Sequence, residues 1–160
     1  MVDTRSDDYS KAHRHFAPSC FNKTWELLDQ FDGETVGKHA DELVATAVAS
    51  LWHWMQREDV TERNLSVGTW LLARVYATVE RHDEAIYWGK RSLALAGEAG
   101  SAPFYVGYAH EALARAYQSL DAQRAQKHLA TAHALAEEVE NEENRQLLLE
   151  DLQQLQSQPA

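Results

Sequence analysis

The sequence predicts an all-α protein built as a stack of antiparallel helix pairs, with about seven helices. Three observations predict it. Apolar residues recur at spacings of three and four along most of the chain, which is the period of one helix face. Prolines stand only at positions 18, 103 and 159, and glycines number seven, so long segments carry nothing that breaks a helix. Finally, the stretch "LLARVYATVERHDEAIYWGKRSLALA" from Leu71 returns as "ALARAYQSLDAQRAQKHLATAHALA" from Ala112, and repetition at a fixed period marks a repeat architecture. No alternating strand pattern competes.

Residues 1–15 are charged and unpatterned and read as a flexible tail. Phe21, Trp25 and Leu28 then share one face of a short helix, which ends at the turn residues Asp32-Gly33. Thr35 is placed to cap the next helix, running to about Arg57. Its apolar positions are Ala40, Leu43, Val44, Ala47, Val48, Leu51, Trp52 and Met55. On that wheel Trp52 and Trp54 fall at the two edges of the apolar stripe, and His53 points to the polar side. Thr61 caps a helix from about Glu62 to Glu80, and Asp83 one that ends near Gly97 and Gly100. Ser101 and Pro103 open the next, because proline is tolerated in a first turn. Asp121 starts another, ending near Val139. Leu148, Leu152 and Leu155 share one face of a last helix. The organisation is thus a tail, 1–15, and one helical domain, 16–158. That domain contains a first pair at about 21–57, repeats at about 62–97 and 101–139, and a capping helix at about 142–157.

Composition narrows the function. A net charge of −10 repels phosphate backbones and anionic lipid, so no nucleic-acid or membrane partner is expected. The most apolar run, "LVATAVASLW", is too short to span a bilayer. The polar N-terminus lacks the apolar core of a signal peptide, and the single cysteine, Cys20, fits a reducing cytoplasm.

The two copies align residue by residue. Leu72, Ala73, Arg74 and Tyr76 return as Leu113, Ala114, Arg115 and Tyr117, each 41 positions on; Ala85 and Ser92 return as Ala125 and Ala132, 40 positions on. The second copy has therefore lost one residue in its turn. This order of Leu, small residue, aromatic, then two small residues in the second helix resembles the tetratricopeptide repeat. Four features depart from that pattern: Ala stands where the first helix usually has Gly, Gly89 stands where a bulky residue is usual, the closing proline is missing, and the inter-repeat loop is longer than the standard unit of about 34 residues requires. The chain as a whole is similar to an uncharacterised bacterial family with this layout, through "FNKTWELL", "ASLWHW", "ARVYA" and "YAHEALARAY". The tetratricopeptide resemblance implies a right-handed α-α superhelix whose first helices line a concave groove for peptides.

If the resemblance is carried over position by position, the groove residues are Val67, Trp70, Arg74 and Ala77 in the first copy. In the second they are Tyr108, Glu111, Arg115 and Gln118. Arg74 and Arg115 become equivalent, and two guanidiniums on one surface suit a carboxylate. Trp70 and Tyr108 offer flat contact area. Against this, Arg115 stands one turn from Glu111 and can pair with it, and Trp70 can pack on the preceding helix. The eight histidines show no i, i+4 pair of the kind metal sites on helices use; His128 and His133 are five apart. Cys20 follows His13 and His15, but nothing local completes a nucleophile site. Neither a phosphate loop nor a nucleophile elbow is present. The expected function is a non-enzymatic scaffold or adaptor for a protein or peptide, one bearing a carboxylate group where the arginines act together. It would need no cofactor, no catalytic residues and no metal ligands. The alternative is a small-molecule- or metal-binding regulator using Trp, Tyr and His between helices. Oligomeric state stays open.

Overall fold

A computed structural model of the protein describes residues 4–31, 38–98, 100 and 102–157. Among these the chain is all helical, with seven helices and no strand: α1 Thr4–Asp29, α2 Lys38–Met55, α3 Glu62–Thr78, α4 His82–Glu98, α5 Pro103–Tyr117, α6 Ala122–Glu137 and α7 Glu142–Ser157. Consecutive helices pack on one another. In addition α3 packs on α5, and α5 on α7, so α5 touches α3, α4, α6 and α7.

Side-chain bonds show that the pairs are antiparallel. His13 meets His53 while the Ser50 hydroxyl donates to the Ala17 carbonyl at 2.9 Å, so numbers rise on α1 as they fall on α2. Ser66 and Ser92 exchange hydroxyl-to-carbonyl bonds between α3 and α4 at 3.2 and 3.0 Å. His110 meets His128 between α5 and α6.

The repeat is visible at the turns. The amide of Arg81 donates to the carbonyl of Tyr76 at 2.8 Å, and the amide of Asp121 donates to the carbonyl of Tyr117 at 2.8 Å. One bond spans five residues and the other four, which is the deleted residue. In the longer turn Glu80 takes φ of 59° and its amide donates to the Ala77 carbonyl. This is a Schellman closure with Glu where Gly is usual.

Several boundaries follow the expected signals. Thr61 caps α3 in a reciprocal box with Asn64, Asp121 caps α6 through the Arg124 amide, and Pro103 stands at the start of α5. Leu72 and Leu113 are buried, as are Leu148, Leu152 and Leu155 of α7 against α5 and α6. Gly89 explains one departure from the repeat pattern. A Cβ there would stand 2.9 Å from Leu113 Cδ2, so Leu113 already fills the space a bulky residue would take. Thr35, Ser101 and the turn Asp32-Gly33 lie outside the described residues.

Other expectations are corrected. The expected tail is helical from Thr4, and α1 runs on through Pro18; residues 1–3 lie outside the described residues. Packing against α2 gives the reason. Ala17 is fully buried, the His13 ring lies 5.1 Å from Trp52, and Phe16 lies 5.3 Å from His53. Asp83 sits inside the first turn of α4, one residue after its start. The buried face of α2 is Leu43, Ala47, Ser50 and Leu51, while Val48, Trp52 and Met55 are exposed. The stripe is rotated because α1 and α3 flank one side of α2 only. His53 keeps to the polar side, as expected, and meets a polar partner there: its Nδ1 lies 2.8 Å from His13 Nδ1, and burial and His13 together lower its pKa.

Candidate functional site

Val67, Trp70 and Arg74 stand at i, i+3 and i+7 on α3 and so share one face. That face looks into a hollow of about 440 Å³ walled by α1, α3, α5 and α7, with Ser92 of α4 also on its lining. Trp25 and Asp29 come from α1, Tyr105 and Tyr108 from α5, and Leu147 and Asp151 from α7. The rings form a continuous wall. Trp25 and Trp70 are 5.6 Å apart, and Trp70 and Tyr108 are 5.0 Å apart, edge to face. Arg74 lies over the Trp25 ring at 5.2 Å, a cation–π contact.

Two smaller or shallower hollows share residues with this one. A hollow of about 220 Å³ lies beside Pro18, Trp54 and Arg63, and its lining includes Val67 and Tyr105. A shallow one of about 510 Å³ runs over α7 along Gln153, Gln154 and Ser157, and its lining includes Leu147 and Asp151. Both border the central hollow, one through Val67 and Tyr105 and the other, more polar, through Leu147 and Asp151.

Charge in the centre is arranged around Arg74. Its Nη1 is 3.7 Å from Asp151 Oδ1 and 3.9 Å from Glu111 Oε1, both beyond hydrogen-bond length. The Tyr108 hydroxyl donates to Asp151 Oδ2 at 2.7 Å. Burial, and then that carboxylate, raise the Tyr108 pKa, so the phenol stays a donor. Two donors on the wall, Trp70 Nε1 and Arg74 Nη1, are buried with no hydrogen-bond partner among the described residues. A buried donor without a hydrogen bond costs roughly 1–3 kcal/mol, and both residues line the hollow.

Of the sequence-predicted residues, Val67, Trp70, Arg74 and Tyr108 line the hollow. Glu111 does not: it is fully buried and accepts from Arg115 Nε at 3.0 Å and Nη2 at 2.5 Å. The equivalence of Arg74 and Arg115 in sequence thus does not give two free guanidiniums. Gln118 donates to the Leu155 carbonyl at 3.1 Å and holds α7, and Ala77 packs into the core. Sequence reasoning missed Trp25, Asp29, Tyr105, Leu147 and Asp151. Spacing places Trp25 only on one face of a short helix with Phe21 and Leu28. Leu147 and Asp151 stand one position before Leu148 and Leu152, on the flank of the buried stripe, and that flank was the available signal.

Among the described residues no group of three or more His, Cys, Asp or Glu is placed to hold a metal ion. Four of the eight histidines gather in twos, His13 with His53 and His110 with His128. Burial raises the Cys20 pKa, the opposite of thiol activation. No described helix is long and apolar enough to cross a membrane. No protein-family model, curated protein or solved structure matches the chain.

Proposed function

We propose that the chain is a non-enzymatic cytoplasmic scaffold of the tetratricopeptide-like kind that binds a peptide segment of a partner protein. The row of adjoining hollows carries this reading. The central one shares Val67 and Tyr105 with one neighbour and Leu147 and Asp151 with the other, an arrangement that suits an extended segment. Its centre offers aromatic anchors, and aromatic pockets of this kind carry most of the binding energy in peptide and protein interfaces. Backbone carbonyls of a peptide supply the acceptors that Trp70 Nε1 and Arg74 Nη1 lack. A carboxylate is the weaker candidate for that acceptor, because Asp151 and Glu111 already stand within 4 Å of Arg74.

The test is selection from a random peptide library displayed with free amino termini, followed by affinity measurement. Selected peptides bind the wild type and lose at least tenfold with Arg74→Gln, about 1.4 kcal/mol, while the melting temperature holds. Peptides whose affinity is untouched by both Arg74→Gln and Trp70→Ala place the site elsewhere and sink the proposal.

A second reading rests on the size of the central hollow, which falls in the roughly 300–1,000 Å³ range of small-molecule sites. A metabolite that co-purifies, seen by native mass spectrometry and lost with Trp70→Ala, favours that reading.

A further inference from the structure

We propose that the central hollow recognises an α-ammonium group next to a neutral carbonyl, as at the free amino terminus of a peptide, with an apolar first side chain against the aromatic wall. This rests on the binding role proposed above and names its ligand.

The hollow presents an unclosed acceptor beside an unclosed donor. Asp151 gives Oδ2 to Tyr108, while its Oδ1 makes no hydrogen bond among the described residues and stands 3.7 Å from Arg74 Nη1. That nitrogen is buried and makes no hydrogen bond among the described residues, its two carboxylate neighbours standing at 3.7 and 3.9 Å. An amino nitrogen and the carbonyl oxygen of the same residue lie about 3 Å apart by backbone dimensions. They can therefore meet the two groups together, the ammonium on Asp151 and the carbonyl on Arg74 or on Trp70 Nε1.

Charge selects the same ligand. The lining carries two carboxylates, Asp29 and Asp151, against one guanidinium, Arg74. Glu111 and Arg115 behind it cancel each other. At about 4 Å in this partly buried setting, each added like-charge pair is strongly unfavourable. A ligand carboxylate on Arg74 would meet such a pair with Asp151. An ammonium meets one such pair with Arg74 but gains from both Asp151 and Asp29, and from the faces of Trp70 and Tyr108. The polar hollow over α7, with Gln153, Gln154 and Ser157, gives the rest of a peptide backbone groups to bond.

Three probes of one shape test this: phenylalaninamide, N-acetyl-phenylalaninamide and N-acetyl-phenylalanine, which are cationic, neutral and anionic at pH 6. Each is titrated into the ¹⁵N-labelled full chain while the five tryptophan indole signals are followed, with Trp70→Phe assigning that of Trp70. Phenylalaninamide is expected to shift the Trp70 signal and to bind at least tenfold more tightly than the neutral amide, with the anion weakest. Asp151→Asn removes the preference for the free amine and leaves binding of the acetylated amide. Asp29→Asn, on exposed α1, narrows it less. A pentapeptide beginning with Phe, free or acetylated, separates the sources: tighter binding of the free peptide than of phenylalaninamide assigns a protein terminus, and the reverse order assigns a small amine. Equal affinity for free and acetylated probes, or preference for the anion, overturns the proposal while leaving the binding role standing. No response to any probe also overturns it, and the binding role falls with it only if library selection fails as well.

Discussion

Replacing Glu111 by Gln tests the charge arrangement behind the central hollow. Glu111 has no solvent exposure, and the side chains of Arg115 and Arg74 are 13% and 15% exposed. Glu111 holds Arg115 through two bonds to one oxygen, at 3.0 and 2.5 Å, and stands 3.9 Å from Arg74. Glutamine keeps the shape and one carbonyl acceptor but removes the charge, leaving two nearly buried guanidiniums with only Asp151 close to either. Removing one partner of a buried pair costs about 3–5 kcal/mol; the retained acceptor places this variant near the lower end, at about 3 kcal/mol. With a urea slope of roughly 1–3 kcal/mol per molar, the unfolding midpoint falls by 1 M or more. The paired variant Glu111→Gln with Arg115→Gln removes one stranded cation and recovers at least about 1 kcal/mol of the loss. Urea titrations of wild type, single and double variants at pH 7 measure both quantities. A single-variant loss under 1 kcal/mol, or a double variant worse than the single by the full cost of Arg115→Gln alone, shows that Glu111 does not balance these arginines.

The core makes a plain prediction: Leu72→Ala, at a site 1% exposed, costs about 2–5 kcal/mol by urea titration, and a loss under 1 kcal/mol means the repeat register is wrong. Gly89→Leu drives a side chain into Leu113 and costs about 1–3 kcal/mol. Combined with Leu113→Ala, it is less harmful than the two separate losses summed, by about 1 kcal/mol, and strict additivity refutes the contact. His110, held down to about 4 by burial first and then by His128, gives a pH effect. Between about pH 6.5 and 4 the unfolded chain takes up a proton that the folded chain refuses, so stability falls as pH drops through that window. Reduced for partial solvent screening, the loss is about 1–2 kcal/mol. The stability gap between wild type and His110→Asn therefore shifts by that amount from pH 7 to pH 4.5, and a constant gap rules the linkage out.

Much of the fold was legible because helix periodicity and caps are local. Thr61, Pro103 and Asp121 start their helices for reasons contained within four residues. The matched turns after Tyr76 and Tyr117 follow from a one-residue deletion that two aligned copies reveal. The part of α1 before Phe21 was hidden because its buried contacts come from residue types that read as polar or small. His13 and Ala17 are held by His53 and Ser50, and no apolar stripe announces that. On α2 the apolar arc is wider than the surface its neighbours cover. Periodicity finds the arc, and only packing decides that Leu43 and Leu51 go in while Val48, Trp52 and Met55 stay out.

The site was legible to the extent that it lies on one helix. Val67, Trp70 and Arg74 share a face by spacing alone, and Tyr108 follows by equivalence between the copies. Equivalence failed for the arginines because it carries side-chain type and not partnership. Arg115 has Glu111 one turn earlier; the position one turn before Arg74 is Trp70, which offers no charge. One arginine is therefore consumed within its own helix, while the other must look across to α5 and α7. That same difference leaves Arg74 Nη1 without a hydrogen bond among the described residues, only ion-pair contacts across to α5 and α7. A sequence repeat makes two like surfaces, and a single nonidentical neighbour then decides which arginine is bonded within its own helix. Asp151 completes the arrangement from α7, beyond the repeated stretch, where no internal comparison can reach it. The charge the hollow prefers was for that reason beyond sequence reasoning: it depends on a carboxylate brought in by the packing of α7 on α5, through Leu148, Leu152 and Leu155.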